Sequence, residues 1–196
     1  MNNSLFVLGG AAWINLVNTT YISHKQEIDI LADVSRTFQW LEENNLLRES
    51  DAPVLEKEER MDSLINELHS LRTLCKKILS DVEQKEEISP DAAGQLNKLV
   101  KRLNVRLTMD AGNEKLKLVP EGLTVEDHVL YQIADSIIHT LDSTLISRIR
   151  KCEHEECVLH FVDTSKSGKR RWCSMEWCGN RKKAAEFYAK KKKKQD

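Results

Sequence analysis

Four cysteines in the last quarter of the chain constrain its fold more than any other feature. Cys152 and Cys157 enclose four residues, Cys173 and Cys178 enclose four more, and fifteen residues separate the pairs. Two close pairs on a short, loop-rich segment can set four thiolates around one tetrahedral ion. The spacing therefore predicts a zinc site with Cys152, Cys157, Cys173 and Cys178 as ligands. The competing reading is two disulfides, which belong to oxidising compartments. No Lys or Arg precedes Lys25, so the apolar run Leu5 to Val17 lacks the charged start of an export signal. His154 and His160 lie near enough in sequence to replace one cysteine. Four thiolates leave no open position for water or substrate, so a single ion per chain is expected to hold the fold rather than do chemistry.

The residues between the pairs suit a hairpin. Val158, Leu159, Phe161 and Val162 favour a strand, Asp163 to Gly168 is turn material, and Lys169 to Trp172 leads back to the third cysteine. After Cys178 comes a basic helix that ends in a lysine run, Lys190 to Lys194. Knuckle, hairpin and helix in that order give a treble-clef-like module. Trp172, Trp177, Phe187 and Tyr188 are expected to form its small core and its contact with the rest of the chain.

Charge divides the chain at the same place. Residues 151–196 carry 13 Lys+Arg against 7 Asp+Glu, whereas the remainder carries 17 against 24. An acidic body with a basic end points to an anionic partner for that end. With 196 residues, the chain has room for a helical domain over 1–150 and a small module over 151–196.

Hydrophobic periodicity makes the body mainly α. Leu5 to Leu8 reads as an extended lead-in, broken by Gly9-Gly10, and Ala11 to about Ser23 reads as a helix. Asp33 caps a helix that runs to about Asn45. A long helix over about Glu56 to Glu83 carries Met61, Leu64, Leu68, Leu71, Cys75 and Ile78 at three- and four-residue steps. Cys75, the odd cysteine, is expected to be a packed thiol. Ser89-Pro90 opens another helix. Val105, Leu107 and Met109, then Leu116 and Leu118, alternate with polar residues around Asp110-Ala111-Gly112-Asn113, which predicts the one small hairpin of the body. Thr124 caps a last helix whose apolar stripe runs to Ile149, almost into Cys152.

Catalytic signatures are missing from this pattern. The chain has no phosphate-cradling glycine loop and no Gly-x-Ser-x-Gly turn, and His24, His69, His128 and His139 are scattered. A non-enzymatic, cytoplasmic protein with no membrane span is expected.

The C-terminal third resembles the CGNR zinc-finger family of bacterial proteins. The matching residues are Arg148 to Cys152, Cys157, Phe161 to Ser165, Arg170 to Met175, and the tetrapeptide Cys178-Gly179-Asn180-Arg181. The front resembles the ABATE domain, through Leu16-Val17-Asn18-Thr19, Leu31 and Trp40-Leu41. Ala11 to Asn15 stands where that family often has Leu-Cys-Leu-Asp. The resemblance implies a transcriptional regulator, with the helical domain as sensor and the zinc module as DNA binder.

Beside the resemblance stands a physical case for nucleic acid. Lys169, Arg170 and Arg171 enter one side of the cysteine site, and Arg181, Lys182 and Lys183 leave the other. Cations fixed around a rigid knuckle meet successive phosphates, and Asn180 and Arg181 sit early in a helix, within reach of base edges. DNA is the expected partner, with a small ligand or a homodimer engaging the helical domain. A zinc-shaped protein-docking module is the alternative; RNA binding and an enzyme come last.

Overall fold

A computed structural model describes residues 4–110 and 116–192 of the chain. Ala111 to Asn113, three of the four expected turn residues of the body hairpin, and Lys193-Lys194 lie outside the described residues. The architecture is mainly α, with three two-stranded antiparallel sheets among the described residues.

The N-terminal third departs most from the sequence expectation. Ser4 caps a single 3-10 turn at Leu5–Val7 in place of an extended lead-in, its Oγ accepting the Phe6 N–H at 3.2 Å. Helix α1 spans only Ala12–Val17. The segment expected to continue it is a strand, β1 (Thr20–Ser23), which folds back on β2 (Gln26–Asp29) with Thr20 opposite Asp29 and Ser23 opposite Gln26. Their two-residue turn needs positive φ twice, and His24 and Lys25 adopt 50° and 65°. Such turns usually announce themselves with Asn-Gly or Asp-Gly, and His-Lys gives no such signal. The body therefore has a second hairpin that periodicity missed.

The remaining elements lie close to expectation. Helix α2 is Val34–Glu43, and the Asp33 carboxylate accepts the Arg36 N–H at 2.9 Å. A short α3 (Ala52–Leu55) precedes the long α4 (Glu58–Lys85). Helix α5 (Pro90–Arg102) is capped by Ser89, and α6 (Val125–Ser143) by Thr124, whose Oγ1 accepts the Asp127 N–H at 3.0 Å. Between them β3 (Val105–Asp110) pairs with β4 (Lys117–Gly122). Gly122 seats this hairpin on α6, since a Cβ there would lie 2.0 Å from the His128 nitrogen. Helix α6 stops at Ser143 rather than running to Ile149. A 3-10 turn (Ile146–Arg148) and strand β5 (Ile149–Lys151) carry the chain into Cys152.

The core sits where α1, α4 and α6 meet. Trp13, Ile14 and Leu16 of α1 are fully buried against Leu64, Leu68 and Ile78 of α4 and Val129, Ile133 and Ile137 of α6, with Trp40 and Leu41 of α2 closing one side. Cys75 is buried among them, and burial pushes its thiol well up, as befits a packing group rather than a nucleophile. Arg72 brings a charge to the edge of this core. Arg72 of α4 reaches Asp29 through two bonds of 2.6 Å, with a third bond of 2.8 Å to Thr19 Oγ1, and His69 Nδ1 lies 2.9 Å from its Nη2. It pins the β1–β2 hairpin to the long helix. No helix among the described residues is long and apolar enough to cross a membrane.

Candidate metal centre and the basic surface beside it

Strands β5 and β6 (His160–Val162) are an antiparallel pair, with Ile149 opposite Val162 and Lys151 opposite His160. The strand expected at Val158 to Val162 is thus present in part, but its partner lies before the first cysteine. Lys169 to Trp172, the expected return strand, joins no ladder; it is held instead by the Glu153 N–H on the Arg171 carbonyl at 3.0 Å. Between β5 and β6 the first knuckle closes on itself. The Cys152 N–H donates to Leu159 O and the Cys157 N–H to His154 O, both at 2.9 Å.

The second knuckle is a wide helical turn, Met175–Gly179, opened by Ser174. The Ser174 carbonyl accepts the N–H groups of both Cys178 and Gly179 at 3.1 Å. Gly179 is needed for space: a Cβ there would lie 2.5 Å from Met175 Sδ and 3.1 Å from Trp172 Cδ1. In Cys178-Gly179-Asn180-Arg181 the first residue presents a thiol and the second leaves room for the Met175 and Trp172 side chains. The last two open helix α7 (Asn180–Lys192) at the surface.

The four cysteine sulfurs lie within 4.8 Å of one another, and none is in a disulfide. Cys157 Sγ is 3.8 Å from Cys173 Sγ, which is 3.6 Å from Cys178 Sγ. A tetrahedron built on zinc–sulfur bonds of about 2.3 Å has edges of roughly 3.8 Å, so the cluster fits that ion. Its electrostatics agree. Hydrogen bonds from Cys157, Cys173 and Cys178 push the Cys152 thiol down, while contacts with Cys152 and Cys157 push the Cys173 thiol up. Four sulfurs this close need a dication before all can be thiolates. Neither nearby histidine joins them. His154 Nδ1 accepts the Glu156 N–H at 3.3 Å, and His160 Nε2 is 3.0 Å from Glu83 Oε1. The cysteines form a site for one structural zinc.

Around the site the cations divide into two kinds. Asp163 is fully buried and accepts the N–H groups of Ser165 and Arg170, each at 2.9 Å. Arg148 donates to the carbonyls of Asp163 and Ser165 at 3.0 and 2.8 Å, and Arg150 to that of Arg170 at 2.9 Å. Arg170 itself turns inward: Nε donates to Trp172 O at 2.9 Å, Nη2 donates to Cys173 O, and the guanidinium lies 4.3 Å over the Phe161 ring. These arginines and Asp163 brace the loop that carries the third cysteine. Sequence reasoning placed Arg148, Arg150 and Asp163 within the family resemblance but gave them no role. Their signal is an acidic residue in turn material between two arginine pairs.

Arg170→Ala is accordingly expected to cost about 2–3 kcal/mol, because buried carbonyls lose a charged donor. Arg171→Ala should stay within roughly 0.5 kcal/mol, as an exposed ion pair. Urea unfolding of the zinc-loaded variants measures both, and equal losses would remove the distinction.

The second kind faces solvent. Lys169, Arg171, Asn180, Arg181 and Lys183 are exposed, and Lys182 is half-buried. Arg171 meets Glu153 at 2.6 Å and stacks 4.9 Å over Trp172, and Lys182 meets Glu155 at 2.8 Å. Lys169, Arg170, Arg171, Trp172 and Met175 line an open groove of about 400 Å³. Helix α7 stands away from the body. Only Trp172 of the four aromatic residues packs into the module; Trp177 is exposed, as are Phe187 (64%) and Tyr188 (68%), against the expectation that they form a core.

The module is docked on the body. Asn18 Nδ2 donates to His160 O at 2.8 Å while the His160 N–H donates to Asn18 Oδ1 at 2.9 Å, and the Val162 N–H donates to Gly9 O at 2.8 Å. The two apolar clusters cross the joint. Ile149 and Val162 belong to the body's core, and Leu8 belongs to the one formed by Leu159, Phe161 and the cysteines. Asn15 uses both halves of its amide, Oδ1 accepting the Gly9 N–H and Nδ2 donating to Asn44 Oδ1, each at 2.7 Å. A cavity of about 310 Å³ opens beside the joint, with Tyr21, Lys76, Leu79, Glu83, Val158 and His160 in its wall.

Comparison with known proteins adds two findings. The family model ABATE, described as "Putative stress-induced transcription regulator", matches residues 10–143. The model of the CGNR zinc finger matches residues 148–191. A search of curated proteins finds no match.

Proposed function

Because this chain belongs to the ABATE family and carries a CGNR zinc finger, we propose that it is a transcription regulator that binds DNA through the zinc module while the helical domain controls how that module is held. One observation carries the reading. Lys169, Arg171, Arg181 and Lys183 are exposed on a scaffold fixed by the four cysteines and the Asp163 brace, and α7 extends the same charge through Lys190 and Lys191. Cations on a rigid frame meet phosphates at fixed spacing, and Asn180, at the start of α7, is placed to approach a base edge. Arg170 acts in this reading as a support for the interface, and Lys182 as a contact released from Glu155.

The functional division falls at 150/151, with 1–150 as the controlling unit. Its control site is the cavity at the joint. A small ligand there touches α4, the β1–β2 hairpin and the module together, so its binding changes the docking of the finger.

A duplex-DNA titration of the zinc-loaded protein at several salt concentrations tests the reading. Five phosphate contacts, the four exposed cations and Lys182, predict a log–log slope of about −4.5. Replacing Arg171, Arg181 and Lys183 by Gln should flatten it by about 2.7 while zinc content and unfolding midpoint stay unchanged. Absence of binding at low salt would move the module to protein docking, the reading that the exposed Trp177, Phe187 and Tyr188 favour.

A further inference from the structure

The β3–β4 hairpin is amphipathic the wrong way round for a monomer. Its register sets Leu107 opposite Pro120 and Met109 opposite Leu118, so these side chains share one face with Val105. On the other face Arg106 pairs across the strands with Glu121 at 3.6 Å, and Thr108 Oγ1 donates to Val119 O at 3.1 Å. A lone hairpin on a folded body would turn its apolar face inward. Here Thr108, Val119 and Glu121 are half-buried, while Leu107, Met109 and Leu118 are 66%, 68% and 70% exposed and Leu116 beside them 72%. The base of the arm is fixed by Gly122 on α6 and by Arg48 Nη1 on Gly122 O at 2.7 Å.

We propose that this face is the interface of a symmetric dimer, covered by the same face of a second copy of the chain. Charge and area select that occupant. The face carries no charged side chain among the described residues, because Arg106 and Glu121 point to the opposite side and satisfy each other, so a charged partner has nothing to grip. A two-fold axis through the face sets its apolar side chains against their own copies, which makes the surface complementary to itself. The bare apolar area is on the order of 500 Å² per chain, at the upper end for a monomer's largest patch. Two such faces bury roughly 1,000 Å², the threshold of a specific interface before its rim is counted. Pairing also completes the arm, since an isolated two-stranded hairpin is marginal in water.

Sedimentation equilibrium of the zinc-loaded chain tests this. The wild type should show twice the monomer mass of 22.6 kDa. Leu107→Lys with Leu118→Lys should weaken association roughly 100-fold or more, because like charges then meet across the axis. Both positions are exposed, so zinc content and circular dichroism should not change. As a second measurement, Met109→Cys should cross-link two chains under mild oxidation. A wild type that stays monomeric at high micromolar concentration overturns the proposal and leaves the face to another partner. A double variant that remains dimeric overturns it by moving the interface elsewhere.

Discussion

Stripping the zinc, with a chelator or through Cys173→Ser, is expected to unfold the C-terminal module and to lower the melting point of the helical body with it. The module has little else to hold it. Its buried cluster is Leu8, Leu159, Phe161 and three of the cysteines themselves. Apparent zinc binding energies of ~10–16 kcal/mol are folding energies in modules of this size. The effect on the body follows from the crossed cores. Ile149 and Val162 leave the body's core when the module opens, and each buried aliphatic side chain contributes about 1.5–3 kcal/mol, so the body should lose about 3–6 kcal/mol. Circular dichroism and tryptophan fluorescence, followed against temperature with and without metal, report the two events. A body melt that ignores the metal would mean the finger hangs as an independent bead.

The second large effect belongs to Arg72 and Asp29. Asp29→Asn or Arg72→Ala is expected to cost about 3 kcal/mol, because each leaves a partner desolvated without its counter-charge. Water reaches the Asp29 side chain, which is 29% exposed, and this keeps the loss at the lower end of what buried pairs show. The pair also predicts acid behaviour. Burial alone would raise the Asp29 carboxyl, but the hydrogen bonds and charge of Arg72, with the Leu31 N–H, outweigh it and hold the group below its ordinary value. A carboxyl depressed in the folded state contributes its full stability above the unfolded value of about 3.9 and loses it as pH falls through the folded value. The urea midpoint of the wild type should therefore drop more between neutral pH and about pH 3 than that of Asp29→Asn. Equal drops would show that the pair contributes nothing to acid stability.

The site was more legible than the N-terminal fold, and for physical reasons. Thiolate coordination fixes residue type and spacing at once, so Cys152, Cys157, Cys173 and Cys178 could be read as one cluster from their positions alone. The stripes of α4 and α6 and the caps Asp33, Ser89 and Thr124 are local rules, and they mark their helices. The β1–β2 hairpin escaped because Tyr21 extends the helical spacing of Trp13 and Val17, its turn uses His24 and Lys25, and its open end is held at Asp29 by Arg72 from 43 residues away. The inward turn of Arg170 is likewise decided by non-local carbonyls and by Phe161, and no local pattern separates it from Arg171 beside it. The aromatics of α7 mislead in the opposite sense. Apolar residues in a small module suggest a core, yet the cysteines complete that core and leave Phe187 and Tyr188 outside.

The joint at Gly9 and Asn18 bears on how the chain is made. Asn18 finds its partner 142 residues later, at His160. The opening segment therefore emerges from the ribosome long before the backbone groups that complete it. At a translation rate of about 5–20 residues per second the wait lasts roughly 7–30 s. Through that interval the Gly9 carbonyl and the Asn18 amide lack their final partners, and Leu8 has no cluster to enter. A chain cut short before His160 never gains them. The docking at Gly9 and Asn18 therefore forms only after the strand of the zinc module has been made.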